Sequence, residues 1–132
     1  MSSSSDALSL IGRVMLASVF VTSGIDKISG FQGVVGAITS KGLPMADALA
    51  VATIIIEVGV ALLLVAGWKA RWAAFVLAVF TVIVTVFFHP FWAVPEAQKM
   101  MQQINFFKNA AIVGGLLFVM AFGPGRLSVD KR

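Results

Sequence analysis

Cysteine is absent from the 132 residues, so the chain can form no disulfide, no thiol relay and no thiolate-held metal or iron–sulfur centre. A single histidine is too little imidazole to hold a redox metal firmly, and any electron chemistry would draw on a partner protein. Charge is scarce as well: Asp, Glu, Lys and Arg make up 12% of the chain, where an average soluble domain carries about 25%. With 59% hydrophobic residues and a mean hydropathy of +0.98, an ordinary water-soluble domain is excluded. The net charge of +4 comes from basic residues that mostly flank apolar blocks, which argues for a lipid bilayer and against nucleic acid as the partner. No basic segment precedes the first apolar run and Arg13 lies inside it, so that run reads as a retained span rather than a secretory signal.

What is present is four long apolar blocks, near 8–28, 45–66, 72–88 and 104–122, each close to the ~20 residues a helix needs to cross the hydrocarbon. They predict a single all-α transmembrane domain over 1–132, a four-transmembrane-helix bundle with two interrupted outer segments. Pro44 precedes the second block, Gly67 follows it, Pro90 stops the third and Gly123-Pro124-Gly125 ends the fourth, all residues that break helices or favour their ends. Trp68 and Trp72 bracket Lys69 and Arg71, as expected where a tight hairpin turns at the headgroups. Gly30, Gly33, Gly36 and Gly42 interrupt 31–44, which predicts a short re-entrant or interfacial helix placed as a lid. In 91–103, Pro95 and Glu96 predict a short amphipathic helix through Met101,. Ser5 or Asp6 is expected to cap a helix starting near Ala7,.

The polar groups inside these blocks carry the functional argument. Glu57 sits near the centre of the second block, where a charged side chain costs on the order of 3 kcal/mol to insert, so the chain must supply a partner. Arg13 and Lys108 are each about 7 Å of helical rise away, and both remain open as that partner. Lys27, at the end of the first block, reads equally as a snorkelling anchor and as a site residue,. Thr81 and Thr85 lead along a stripe to His89, which is either an interface anchor or a functional group,. Because successive spans alternate in direction, Asp26, Lys27, His89, Lys108 and Asn109 fall in one half of the bundle. One buried ion pair that sets helix register is the simplest account, but the number of convergent groups favours a polar pocket between the helices.

Basic residues also divide unevenly between the two ends. Arg13, Lys69, Arg71, Arg126, Lys131 and Arg132 share the end that holds both termini, against Lys27, Lys41, Lys99 and Lys108 at the other. This bias predicts a multi-pass protein with both termini cytoplasmic and its polar pocket in the outer half.

Gly12-Arg13, Ser23-Gly24 with Lys27, Gly42-Leu43-Pro44, Ile56-Glu57, Gly67 with Arg71, His89-Pro90-Phe91, Phe106-Phe107-Lys108-Asn109 and the closing 123–130 segment GPGRLSVD together resemble the DoxX family of small membrane proteins over almost the whole chain. The resemblance implies four transmembrane helices in the bacterial inner membrane. It also implies an association with oxidoreductases, since relatives include subunits of thiosulfate:quinone oxidoreductase.

The leading functional expectation is therefore a subunit of a quinone-linked oxidoreductase, with no intrinsic cofactor, that binds a quinone or similar small lipophilic molecule in the outer-half pocket. Glu57 would relay protons, while His89 and Lys108 would donate them. Arg13, Lys27 and Asn109 would help bind and orient the molecule, and Phe88, Phe106 and Phe107 would wall its ring. A redox partner protein would bring the electrons. The alternatives are a small proton-coupled transporter or permeability factor, and an accessory scaffold without catalysis. The Ala110, Ala111, Gly114 and Gly115 face of the fourth span is compatible with a homodimer.

Overall fold

The computed structural model describes residues 3–131; Met1 and Ser2 of the serine-rich leader and the terminal Arg132 lie outside the described residues. The elements are α1 (Ser3–Ser29), α2 (Phe31–Ser40), α3 (Ala46–Ile54), a π-helical turn (Ile55–Val60), α4 (Ala61–Ala66), α5 (Ala70–Phe88), a 3₁₀ turn (Phe91–Ala93) and α6 (Glu96–Phe122), with no strand among the described residues. α3, the π turn and α4 form one rod. Four helical stretches, Ser3–Ser29, Ala46–Ala66, Ala70–Ala93 and Glu96–Phe122, are long and apolar enough to cross a membrane.

Small residues set the packing. Ala17, Ala61, Ala70, Ala74 and Ala78 lie in the core with Leu64, Leu77 and Leu116, while Ile55, Ile83, Phe118 and Phe122 point outward with more than half of their surface exposed. In lipid there is no gain from hiding a large apolar side chain, so association rests on close backbone approach. α1 packs against the π turn and α4, α5 packs against the same rod and along the length of α6, and α1 and α6 touch little. The bundle is thus closed on three sides and cleft between α1 and α6.

The termini and the α4–α5 loop share one end, called the terminal end below; α2 and the 89–95 connection form the distal end. At the terminal end the 123–131 segment folds back across the helices. Arg13, 1% exposed, donates through Nη1 to the Leu64 and Val65 carbonyls at 3.0 and 2.6 Å and through Nη2 to the Leu127 carbonyl. It thereby satisfies the Val65 carbonyl, which the end of α4 leaves without an intrahelical partner, and shares the Leu64 carbonyl with the Gly67 N–H. The Asp130 carboxylate accepts from the Lys69 and Ala70 N–H groups at 2.9 and 2.8 Å, capping α5 from a distant part of the chain. Gly67 (φ +71°) ends α4 in the left-handed region with Ser128 against its Cα, where a side chain would be both strained and obstructed.

Several boundaries differ from expectation. α6 starts at Glu96 rather than near 104, because nothing between Glu96 and Ile104 breaks a helix and the short amphipathic segment continues into the span. α1 starts at Ser3, so Asp6 is not its cap; the buried Asp6 carboxylate instead accepts the Arg126 N–H at 3.2 Å. The 31–44 segment does form a short helix, α2, closing at Lys41.

Candidate functional site

Lys27 lies in the last turn of α1. Its Nζ donates to Glu57 Oε1 at 2.7 Å and to Ser23 Oγ at 2.8 Å. The partner of Glu57 is therefore neither Arg13 nor Lys108, the two expected from depth along the helices. The correction has a geometric cause. Each Cα–Cβ bond leans toward its helix N-terminus, and α1 and the 46–66 rod run in opposite directions. Lys27 leans inward from the distal end while Glu57 leans outward toward it, whereas Arg13 leans to the terminal end and finishes on backbone carbonyls. The π turn adds to this, because an extra residue wound into one turn re-aims the side chains it carries. Gly24 lets the two helices approach: a Cβ there would sit 2.6 Å from Val58 Cγ2 and 3.1 Å from Glu57 Cβ.

Around this ion pair lies a cavity of about 240 Å³ whose polar wall is Ser23, Lys27, Glu57, Thr81, His89, Lys108 and Asn109 and whose apolar wall includes Phe20, Phe80 and Ile112. The polar residues are held from behind. Asn109 donates through Nδ2 to Thr85 Oγ1 at 2.9 Å, and the Thr85 hydroxyl donates to the Thr81 carbonyl at 2.6 Å. His89 Nδ1 lies 2.6 Å from Gln102 Oε1; an amide oxygen only accepts, so Nδ1 is the donor in this hydrogen bond. Lys108 is exposed and, among the described residues, has neither a hydrogen bond nor an ion pair. It lies about 18 Å along α6 from Glu96 and about 21 Å from Phe122, at 1.5 Å per residue.

A second cavity of about 410 Å³ lies beneath α2 and shares Lys27, Phe80, Val84 and His89 with the first. Gly33, Val34 and Ala37 of α2 line it. Lys41 lies 5.7 Å from the centroid of the Phe88 ring and fastens the end of α2 to α5,.

Of the residues singled out in the sequence, the structure brings Lys27, Glu57, His89, Lys108 and Asn109 to one cavity. Phe88 lines the neighbouring one. Phe106 and Phe107 do not wall the polar cavity. They belong to an aromatic cluster with Phe91 and Trp92, with centroids 5.2 to 6.0 Å apart, because their place on α6 faces the 91–93 turn. Arg13 belongs to the terminal end. Phe20, Phe80 and Gln102 carry no signal in the sequence, whereas Ser23 stands one helical turn before Lys27 in the Ser23-Gly24 pair,. Among the described residues no three His, Asp or Glu side chains gather where a metal ion would need them,.

A family model described as DoxX matches residues 8–90, a stretch that contains Lys27, Glu57 and His89 and stops before Lys108 and Asn109. The inner membrane protein YphA of Escherichia coli (strain K12) is 34% identical over 125 residues, 95% of this chain and 89% of that protein. The inner membrane protein YqjF of the same organism is 30% identical over 122 residues, 92% of this chain and 88% of that protein. A Surfeit locus protein 4 homolog of Drosophila melanogaster is 25% identical over 127 residues, 95% of this chain but 40% of that protein. No solved structure matches.

Proposed function

The chain belongs to the DoxX family, as an integral inner-membrane protein, and from that premise we propose that it binds a small lipophilic molecule with a carbonyl-bearing ring, of the quinone class, in the cavity around Lys27 and Glu57. The observation that carries this reading is the meeting of seven polar side chains from all four membrane-spanning stretches at one cavity within the bundle. A buried ion pair alone needs two.

The fit is one of size and of donors. A volume of about 240 Å³ falls just under the ~300–1,000 Å³ typical of sites for drug-sized ligands, so a single substituted ring suits it better than a larger molecule. Lys27 uses two of its three N–H donors, Lys108 uses none within the described residues, and either could donate to a ring oxygen. Glu57 and His89 Nε2 could take up or return the protons that accompany electrons in quinone chemistry. Phe20 and Phe80 offer their apolar surfaces to the ring. The electrons would come from a redox partner protein. Basic residues at the terminal end favour cytoplasmic termini, which puts the cavity in the outer half of the membrane.

The test is mass spectrometry of small molecules extracted from the protein purified in mild detergent, beside Glu57→Gln and Lys108→Ala. A quinone in the wild type that is lost from both variants while they still elute as folded protein supports the reading. A wild type that carries none, and takes up none on addition, removes it.

A further inference from the structure

A groove of about 740 Å³ runs between α1 and α6, and it meets the polar cavity at Val19, Lys108 and Ile112, which line both. We propose that this groove holds the hydrocarbon tail of the molecule whose ring occupies the polar cavity, so that the ligand is a long-tailed lipophile entering sideways from the bilayer. The inference rests on the ring-binding reading above and adds to it the class of ligand and its route.

The argument starts from Lys108. A cation near the middle of a membrane-spanning helix and without a protein partner is costly, and this one stands where the groove opens into the cavity. From there to Phe122 the groove follows α6 for about 21 Å, at 1.5 Å per residue. Its walls over that length are apolar, with Leu16 from α1 and Phe118, Val119 and Phe122 from α6. Polar chemistry returns only at the terminal end, where both Nη atoms of Arg13 are committed to carbonyls while its buried Nε has no hydrogen-bond partner. The Lys108 end, where the groove opens into the cavity, therefore takes the head, and the apolar length beyond it takes the tail. The two helices approach at Gly115, where a Cβ would sit 3.0 Å from Leu16 Cδ2, and part at Gly12, where a Cβ would meet nothing within 4 Å. A tail resting in this groove never leaves apolar surroundings, and only the head has to pass Lys108.

A benzoquinone with an alkyl tail ending in a diazirine tests this in nanodiscs of the full chain. After photolysis, label is expected on the 9–19 and 112–123 peptides, and an excess of the same ring without a tail should displace it. Gly12→Phe fills the groove without touching the cavity. It should lower labelling on the order of tenfold, a difference of about 1.4 kcal/mol, while binding of the tailless ring, measured separately by equilibrium dialysis, stays unchanged. Tailless binding with label spread over the outer surface overturns the groove and leaves the cavity reading standing. Groove label that the tailless ring cannot displace marks an ordinary lipid chain and likewise overturns the inference. A tailless ring that binds nowhere takes down both readings.

Discussion

Lys27 Nζ lies 2.7 Å from Glu57 Oε1, the pair standing 30 residues apart in the chain, and the carboxylate bearer is almost buried while the lysine side chain keeps 28% of its surface exposed. The lysine is thus the half of the pair that can reach a ligand, and the glutamate is the half that depends on it.

That asymmetry predicts strong coupling. Lys27→Leu should destabilise the bundle by about 3–5 kcal/mol because it leaves the buried Glu57 charge uncompensated, Glu57→Leu should cost less because Lys27 keeps 28% of its surface exposed, and the double variant should cost less than their sum. Reversible unfolding in micelles measures the cycle, and simple additivity would show that the two charges do not interact.

Arg13 should matter for the fold rather than for the ligand. Arg13→Lys keeps the charge but loses the planar fork that spans Leu64, Val65 and Leu127,. A loss of roughly 2–3 kcal/mol follows from hydrogen bonds to a charged donor. Hydrogen exchange should quicken at the Val129 and Asp130 amides, which bond the Ala66 and Gly67 carbonyls. Wild-type exchange rates in that variant would dismiss the clamp.

Gly24 and Gly12 make a matched pair on α1. Gly24→Val pushes a side chain into Val58 and Glu57 and should cost about 1–3 kcal/mol by overpacking, with weaker ligand retention as Lys27 and Glu57 separate. Gly12→Ala meets no atom within 4 Å and should be neutral or stabilising, since glycine is the poorer helix former by about 1 kcal/mol. Equal stability of the two variants in thermal denaturation would contradict the close approach at Gly24.

The absence of cysteine makes orientation directly readable. A single cysteine at Gln32, on α2, should react with an impermeant maleimide added outside intact spheroplasts, and one at Ser4 should not until the membrane is opened. The opposite pattern would turn the molecule over and place the polar cavity toward the cytoplasm.

The membrane class, the four spans and the half of the bundle that gathers the polar side chains were legible in the sequence, because hydropathy, helix breakers and alternating direction are local or additive properties. Lys27, His89, Lys108 and Asn109 could be grouped by depth alone, with Glu57 nearer the centre. Depth, however, says nothing of facing, and Phe106 and Phe107 share that depth while turning to Phe91 and Trp92. Gln102 behind His89 and Thr85 behind Asn109 became partners only once α5 and α6 were laid side by side.

By itself, then, the sequence determined an all-helical membrane protein with a buried carboxylate in need of a cation, since the cost of charge in hydrocarbon follows from composition and length. Tertiary structure decided which cation answers. The antiparallel lean of Cβ atoms, the π turn and the missing side chain of Gly24 brought Lys27 to Glu57 and sent Arg13 to the carbonyls at the other end. It also left α1 and α6 apart with Lys108 between them, because helices in lipid close only where small residues let their backbones meet.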